Sequence, residues 1–290
     1  MFESILVALD GSKPAEQALP YTAEIANAFA SEVFLIKVCR TEEIDFSSVS
    51  QAYLNKQAEQ LRKKLIGEIR INIAVSLGRP AQEIIRYAVE KNISLIIITS
   101  TGRSGIIPWL LGSTANEIIH SVKVPLLVVK VSKSPPSSVK LKRLLVPLDG
   151  SERSEAILPY TTRLAQKLSA EVILIQIVAP GRHVHTIGGL DYVYFKDKDM
   201  ESMKTAAQEY LDRIVARLAR EHVTIKREIR IGEPSSEIAS YADENHCDLI
   251  TMSSHGHSYV ERWTYGSVAY KILHSSNRPV LILPLKTTDT

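Results

Sequence analysis

Short continuous apolar runs alternate along this 290-residue chain with longer stretches of helical periodicity, and the alternation occurs twice. Ser4 to Leu9, Glu32 to Val38, Ile71 to Ser76, Leu95 to Thr99 and Leu126 to Val131 read as strands, because brief runs rich in Val, Ile and Leu suit strands buried on both faces. Between them the spacing predicts helices over Pro14 to Ala30, Gln51 to Leu65, Ala81 to Glu90 and Thr114 to Ser121. The order βαβαβαβαβ predicts an α/β fold: a five-stranded, doubly wound, Rossmann-like parallel sheet, with its ligand crevice beyond the carboxyl ends of the strands.

The whole pattern then returns. Ile5-Leu-Val-Ala8-Leu-Asp10-Gly-Ser12 recurs 139 residues later as Leu144-Leu-Val-Pro147-Leu-Asp149-Gly-Ser151, and Leu19-Pro20-Tyr21 recurs at the same offset as Leu158-Pro159-Tyr160. In the later half of each copy the offset is 154: Gly78-Arg-Pro80 becomes Gly232-Glu-Pro234, Gly112-Ser113 becomes Gly266-Ser267, and Trp109 becomes Trp263. The change of offset locates an insertion around Ala179 to Asp199, which is expected to be a variable surface loop, with a lid over the second site and a partner surface as the alternatives. Ser132-Lys-Ser-Pro-Pro-Ser-Ser138 has linker composition, so the copies are expected to span 1–136 and 137–290.

Composition narrows the chemistry. A formal charge of +3 lacks the basic excess that phosphate-backbone binding needs, so nucleic acid is not an expected partner. Two separated cysteines, Cys39 and Cys247, suit free thiols in a reducing compartment. The apolar runs are strand-sized and the start lacks a signal-peptide pattern, so a cytoplasmic protein without membrane contact is expected.

Candidate chemistry sits where the fourth strand of each copy ends. Gly102 and Gly112-Ser113-Thr114 in the first copy match Gly256 and Gly266-Ser267-Val268 in the second, with nine residues between the glycines. The earlier glycine permits a sharp turn and close approach of a ligand. The later glycine and serine open a helix whose unpaired N–H groups favour phosphate, although Ser113 and Ser267 also fit plain N-caps. Arg103 and His257 follow the first glycine and fit either phosphate contacts or solvated surface. Asp10 and Asp149 end the first strand, where they suit ribose contact or capping through Asp-Gly-Ser. Val38 and Ile177 end the second strand, where backbone groups read a base edge or the side chains are simply core. His120 and His274 recur near a helix carboxyl end, where the dipole favours a cation. The tryptophans are expected to anchor the loop.

On these motifs the chain resembles a tandem universal stress protein of the UspA superfamily. Nucleotide-binding members of that family carry G-x2-G-x9-G-[S/T]. Here the second and third glycines are kept, while Thr99 and Ser253 stand at the first. The resemblance implies that Ala8 and Asp10, and Pro147 and Asp149, line the base and ribose side. It also implies that the last strands pair the two copies as an intrachain pseudo-dimer, which leaves room for a homodimer.

The expectation is therefore a stress-response protein binding ATP or AMP, with magnesium accompanying ATP, in a sensing or regulatory role. A nucleotide-free interaction module of the same fold and a slow ATP hydrolase are the alternatives. Neither a Walker loop nor a G-x-S-x-G elbow is present, and no general base beyond the two aspartates presents itself. His246, Cys247, His255 and His257 match no standard zinc spacing.

Overall fold

The computed structural model describes residues 1–39, 47–102, 111–186, 189–255 and 266–285. Two compact units divide the chain, Met1–Leu141 with Leu273–Thr290, and Lys142–Ile272.

The first unit runs β1 (Ser4–Ala8), α1 (Lys13–Glu16), α2 (Leu19–Phe29), β2 (Glu32–Cys39), α3 (Ser47–Arg62), β3 (Ile71–Leu77), α4 (Pro80–Glu90), β4 (Leu95–Thr99), α5 (Ser113–Ser121) and β5 (Leu126–Val129). Its strands lie in the order β5-β4-β1-β2-β3, all parallel. Ile5, Leu6 and Val7 of β1 and Leu95, Ile96 and Ile97 of β4 have no exposed surface, as strands covered on both faces require. Chain order reverses between β1 and β4, so their carboxyl ends flank the switch point where this architecture opens a crevice.

The single helix expected over Pro14 to Ala30 is two. Ser12 caps α1 by accepting from the Ala15 N–H at 3.3 Å, and Pro20 then sits in the first turn of α2. Proline lacks the N–H that a continuous helix would bond to the residue four back.

The second unit repeats the scheme with β6 (Arg143–Pro147), α6 (Glu152–Glu155), α7 (Leu158–Leu168), β7 (Glu171–Val178), β8 (Gly181–Thr186), β9 (Gly189–Tyr194), α8 (Asp197–Leu218), β10 (Ile225–Ile231), α9 (Pro234–Glu244), β11 (Leu249–Ser253) and α10 (Ser267–Ser275). Its strand order is β10-β7-β6-β11. The insertion expected as a loop is instead an antiparallel hairpin, β8 with β9, followed by a helix of 22 residues where α3 has 16. The final strand, β12 (Val280–Leu283), belongs to the first unit, where Val280, Leu281 and Ile282 pair antiparallel with Val128, Leu127 and Leu126. The last strands thus pair, as expected.

Gly78 and Gly232 explain the repeated Gly-x-Pro. Their φ values, +143° and +156°, belong to glycine, and each turns the chain from an outer strand into a helix that begins on proline.

Candidate functional site

A crevice of about 390 Å³ opens at the switch point of the first unit. Its floor is apolar, from Ala8 at the end of β1 and Leu9 after it, Ile36 and Val38 of β2, and Ile98 of β4. Pro80 and Ile84 of α4 and Ile118 of α5 close the sides. Polar groups converge on one rim: Asp10, the Thr99 to Gly102 turn, and Gly112, Ser113 and Thr114 at the start of α5. This combination of apolar walls and a few aimed polar groups is the general form of a small-molecule site, and its volume falls within the roughly 300 to 1,000 Å³ such sites occupy.

The N-terminus of α5 has a defined geometry. Gly112, not Ser113, is the N-cap; its carbonyl accepts the first helical bond from Asn116 at 2.9 Å, and no side chain among the described residues caps the turn. Ser113 is therefore the first helical residue, so its reading as an N-cap is corrected. The Gly112 N–H donates to the Ser100 carbonyl at 2.8 Å, tying the helix start to the end of β4. A Cβ at Gly112 would lie 3.7 Å from Ser100 O and Thr101 Cα, ordinary contact. Packing among the described residues therefore does not demand glycine there.

Gly102 is different. A Cβ on it would overlap Asp10 Oδ2, so what lies against this glycine is the aspartate carboxylate. Asp10 Oδ1 meanwhile accepts from the Ser12 N–H at 2.9 Å, which fixes the carboxylate at the head of α1. Asp149 repeats this with Ser151, accepting from its N–H at 3.0 Å and its hydroxyl at 2.6 Å. Capping and placement at the rim are thus compatible roles.

Thr99 and Ser253 share a local function. The Thr99 hydroxyl donates to the Thr101 carbonyl and the Ser253 hydroxyl to the His255 carbonyl, each at 2.9 Å. A side-chain hydroxyl closes the turn in both copies.

Ala8, Asp10, Val38, Thr99, Gly102, Gly112, Ser113 and Thr114 are therefore brought together around one crevice. The motif reasoning missed Lys37, Pro80, Ser100 and Thr101, which also line it. Pro80 carried a signal, the repeated Gly-x-Pro turn; Lys37 sits in an apolar run and carried none. In the second unit Pro147 ends β6, Ile177 lies in β7 and Ser253 ends β11. Gly266, Ser267 and Val268 open α10, with the Gly266 N–H on Ser254 O at 2.8 Å and its carbonyl accepting from Tyr270 at 3.0 Å. This reproduces the Gly112 geometry. Arg103, Trp109, Gly256, His257 and Trp263 lie outside the described residues.

The copies differ around these shared parts. Thr101 is matched by His255, which is 5% exposed and has Nδ1 at 3.0 Å from the Ser254 hydroxyl. Arg79, the N-cap of α4, makes no side-chain cap, whereas its counterpart Glu233 accepts from the Ser236 N–H at 2.8 Å and pairs with Lys271 at 2.9 Å. Burial raises the Glu233 carboxyl, but hydrogen bonds from Ser235, Lys271 and Ser236 override it and hold the group at about 2. His120 corrects a sequence expectation: burial, helped by the charge of His274, lowers its pKa, so its surroundings disfavour the cation that the helix dipole was expected to hold.

Comparisons agree with the repeat. The Universal stress protein family model matches residues 1–130 and again 140–284. A universal stress protein of Methanocaldococcus jannaschii is 31% identical over 144 residues, covering 46% of this chain and 85% of its own length. One from Synechocystis is 21% identical over 309 residues, covering 96% of this chain and 99% of its own length. Among solved structures, a universal stress protein from Archaeoglobus fulgidus aligns with a TM-score of 0.69 at 21% identity, covering 97% of this chain and 98% of that one, which is likeness of fold. With both copies matched by one family model, the chain belongs to the universal stress protein family.

Proposed function

We propose that this protein binds an adenine nucleotide, ATP or AMP, in the crevice of the first unit, and that binding serves a sensing or regulatory role in the stress response. The observation that carries the proposal is the start of α5. Its N-cap glycine brings no side chain to the first-turn N–H groups, and Gly112, Ser113 and Thr114 face the crevice. An anion satisfies such groups and the positive end of the helix dipole together. The apolar floor suits a base, with the backbone at Val38 beside it, and Asp10 suits a ribose hydroxyl. Magnesium would accompany the phosphates of ATP. No group stands out as a general base, so slow hydrolysis is not part of the proposal.

Calorimetry with millimolar ATP and with AMP tests the reading: saturable heat is expected with at least one. Gly112→Ala discriminates further. Its methyl group fits the protein but occupies the space a phosphate would approach, so affinity should fall about tenfold or more with the fold unchanged. Nucleotide that binds the variant as tightly as the parent would remove the loop from the proposal; absence of heat from the parent would remove the proposal.

The second unit is proposed as a weaker or altered site, because His255 replaces Thr101 and Glu233 replaces Arg79 near the same features. Gly266→Ala should then change nucleotide binding less than Gly112→Ala does. A competing reading, an interaction module without nucleotide, draws support from the self-closed turns at Thr99 and Ser253. It predicts no thermal shift with either nucleotide.

A further inference from the structure

Beside the crevice, but facing the other side of β2, the first unit holds a cluster that the nucleotide reading leaves unused. Lys37 and Cys39 are two residues apart on one strand, so their side chains leave the same face. Lys37 is 6% exposed, Cys39 2% and Ser50 of α3 0%. Lysine is rarely buried without a carboxylate. Here its partners among the described residues are a hydroxyl and a thiol: Lys37 Nζ donates to Ser50 Oγ at 2.6 Å and to Cys39 Sγ at 3.9 Å, and Sγ lies 3.3 Å from Ser50 Oγ. Lys37 is also among the residues that line the crevice, so the cluster lies directly behind it. The second copy has Gln176, Val178 and Lys204 at the matching positions, so the arrangement belongs to the first unit.

We propose that Cys39 and Lys37 form an oxidative sulfur–nitrogen cross-link in the presence of hydrogen peroxide. The Cys39 sulfur attacks one peroxide oxygen, the O–O bond breaks, and the products are a sulfenic acid and water. The Lys37 nitrogen, once it has given its ammonium proton to solvent, attacks that sulfur; the S–O bond breaks, and the hydroxyl leaves with an amine proton as a second water. Sulfur is oxidised by two electrons, peroxide is reduced, and the residue pair ends two hydrogens lighter. Ser50, within 3.3 Å of both reacting atoms, is the positioning residue that holds the amine toward the thiol. A thiol reductant reverses the link. This inference does not depend on nucleotide binding.

The test treats the intact chain with peroxide, denatures it in acid and maps peptides by mass spectrometry. Expected is a peptide spanning residues 37 to 39 that is two hydrogens lighter, restored by dithiothreitol, with loss of one of the two titratable thiols while Cys247 stays reduced. Fragmentation placing the link between residues 37 and 39 decides the matter in the parent protein, whatever a variant does. In Lys37→Arg the light peptide should vanish and Cys39 should appear as a dimedone adduct or a sulfinic acid. Three outcomes overturn the proposal: Cys39 remaining a thiol, Cys39 gaining oxygen alike in parent and variant, or a Cys39–Cys247 disulfide.

Discussion

At the residue scale, several side chains carry roles that their type alone does not reveal. Gly102 makes room for the Asp10 carboxylate, while Gly112 has space for a methyl group and is an informative probe of ligand approach. Glu233 has a consequence for acid stability. Its folded carboxyl is held at about 2, below the ordinary 4.5. The stabilisation it brings is therefore complete above 4.5 and is lost as pH falls toward 2, since the unfolded chain takes up the proton first. The side chain is 45% exposed, so solvent screening reduces the effect. Glu233→Gln should destabilise the protein by about 1 kcal/mol at neutral pH and flatten the decline between pH 4.5 and 2, read by urea unfolding across pH. Equal acid sensitivity of variant and parent would contradict this. The value for Glu233 was not legible in sequence, because it arises from Lys271, 38 residues away, and a cap.

At the element scale, strands were legible because burial on both faces writes continuous apolar runs, and β1, β4 and β7 are found where those runs lie. The hairpin was not. Gly188-Gly189 between residues rich in Val, Tyr and His was its signal, yet a pair with no counterpart in the first copy gave no repeat to align. Thr186 pairs with Gly189, and the Phe195 N–H donates to Pro180 O at 2.9 Å to close the base. The hairpin is a sheet of its own, and isolated two-stranded sheets are marginal. Replacing residues 181–194 with a short glycine-serine link should shift Tm by no more than about 4 °C. A loss of more than about 8 °C would mean the hairpin contributes to the core of its unit.

At the scale of the whole molecule, β12, from the far end of the sequence, joins the sheet begun by the first copy. Leu126, Leu127 and Val128 of β5 are fully buried, with β4 on one side and β12 on the other. Ending the chain at Pro279 removes β12 and leaves that apolar edge bare, which is a template for pairing with another chain. Sedimentation should then give an association state about twice that of the full chain or larger. An unchanged state would show that the β5 edge does not drive self-association.

The sequence by itself determined the duplicated α/β design and the paired glycine-serine motifs, because these rest on periodicity and on fixed offsets, while the pairing of last strands came from family resemblance alone. Tertiary structure decided the rest. Which glycine makes room for a neighbouring carboxylate, whether serine is a cap or the first helical residue, and which thiol meets a buried lysine all depend on atoms that converge from separate elements. Apolar periodicity records only which face is buried. It carries no record of what a buried polar group will touch.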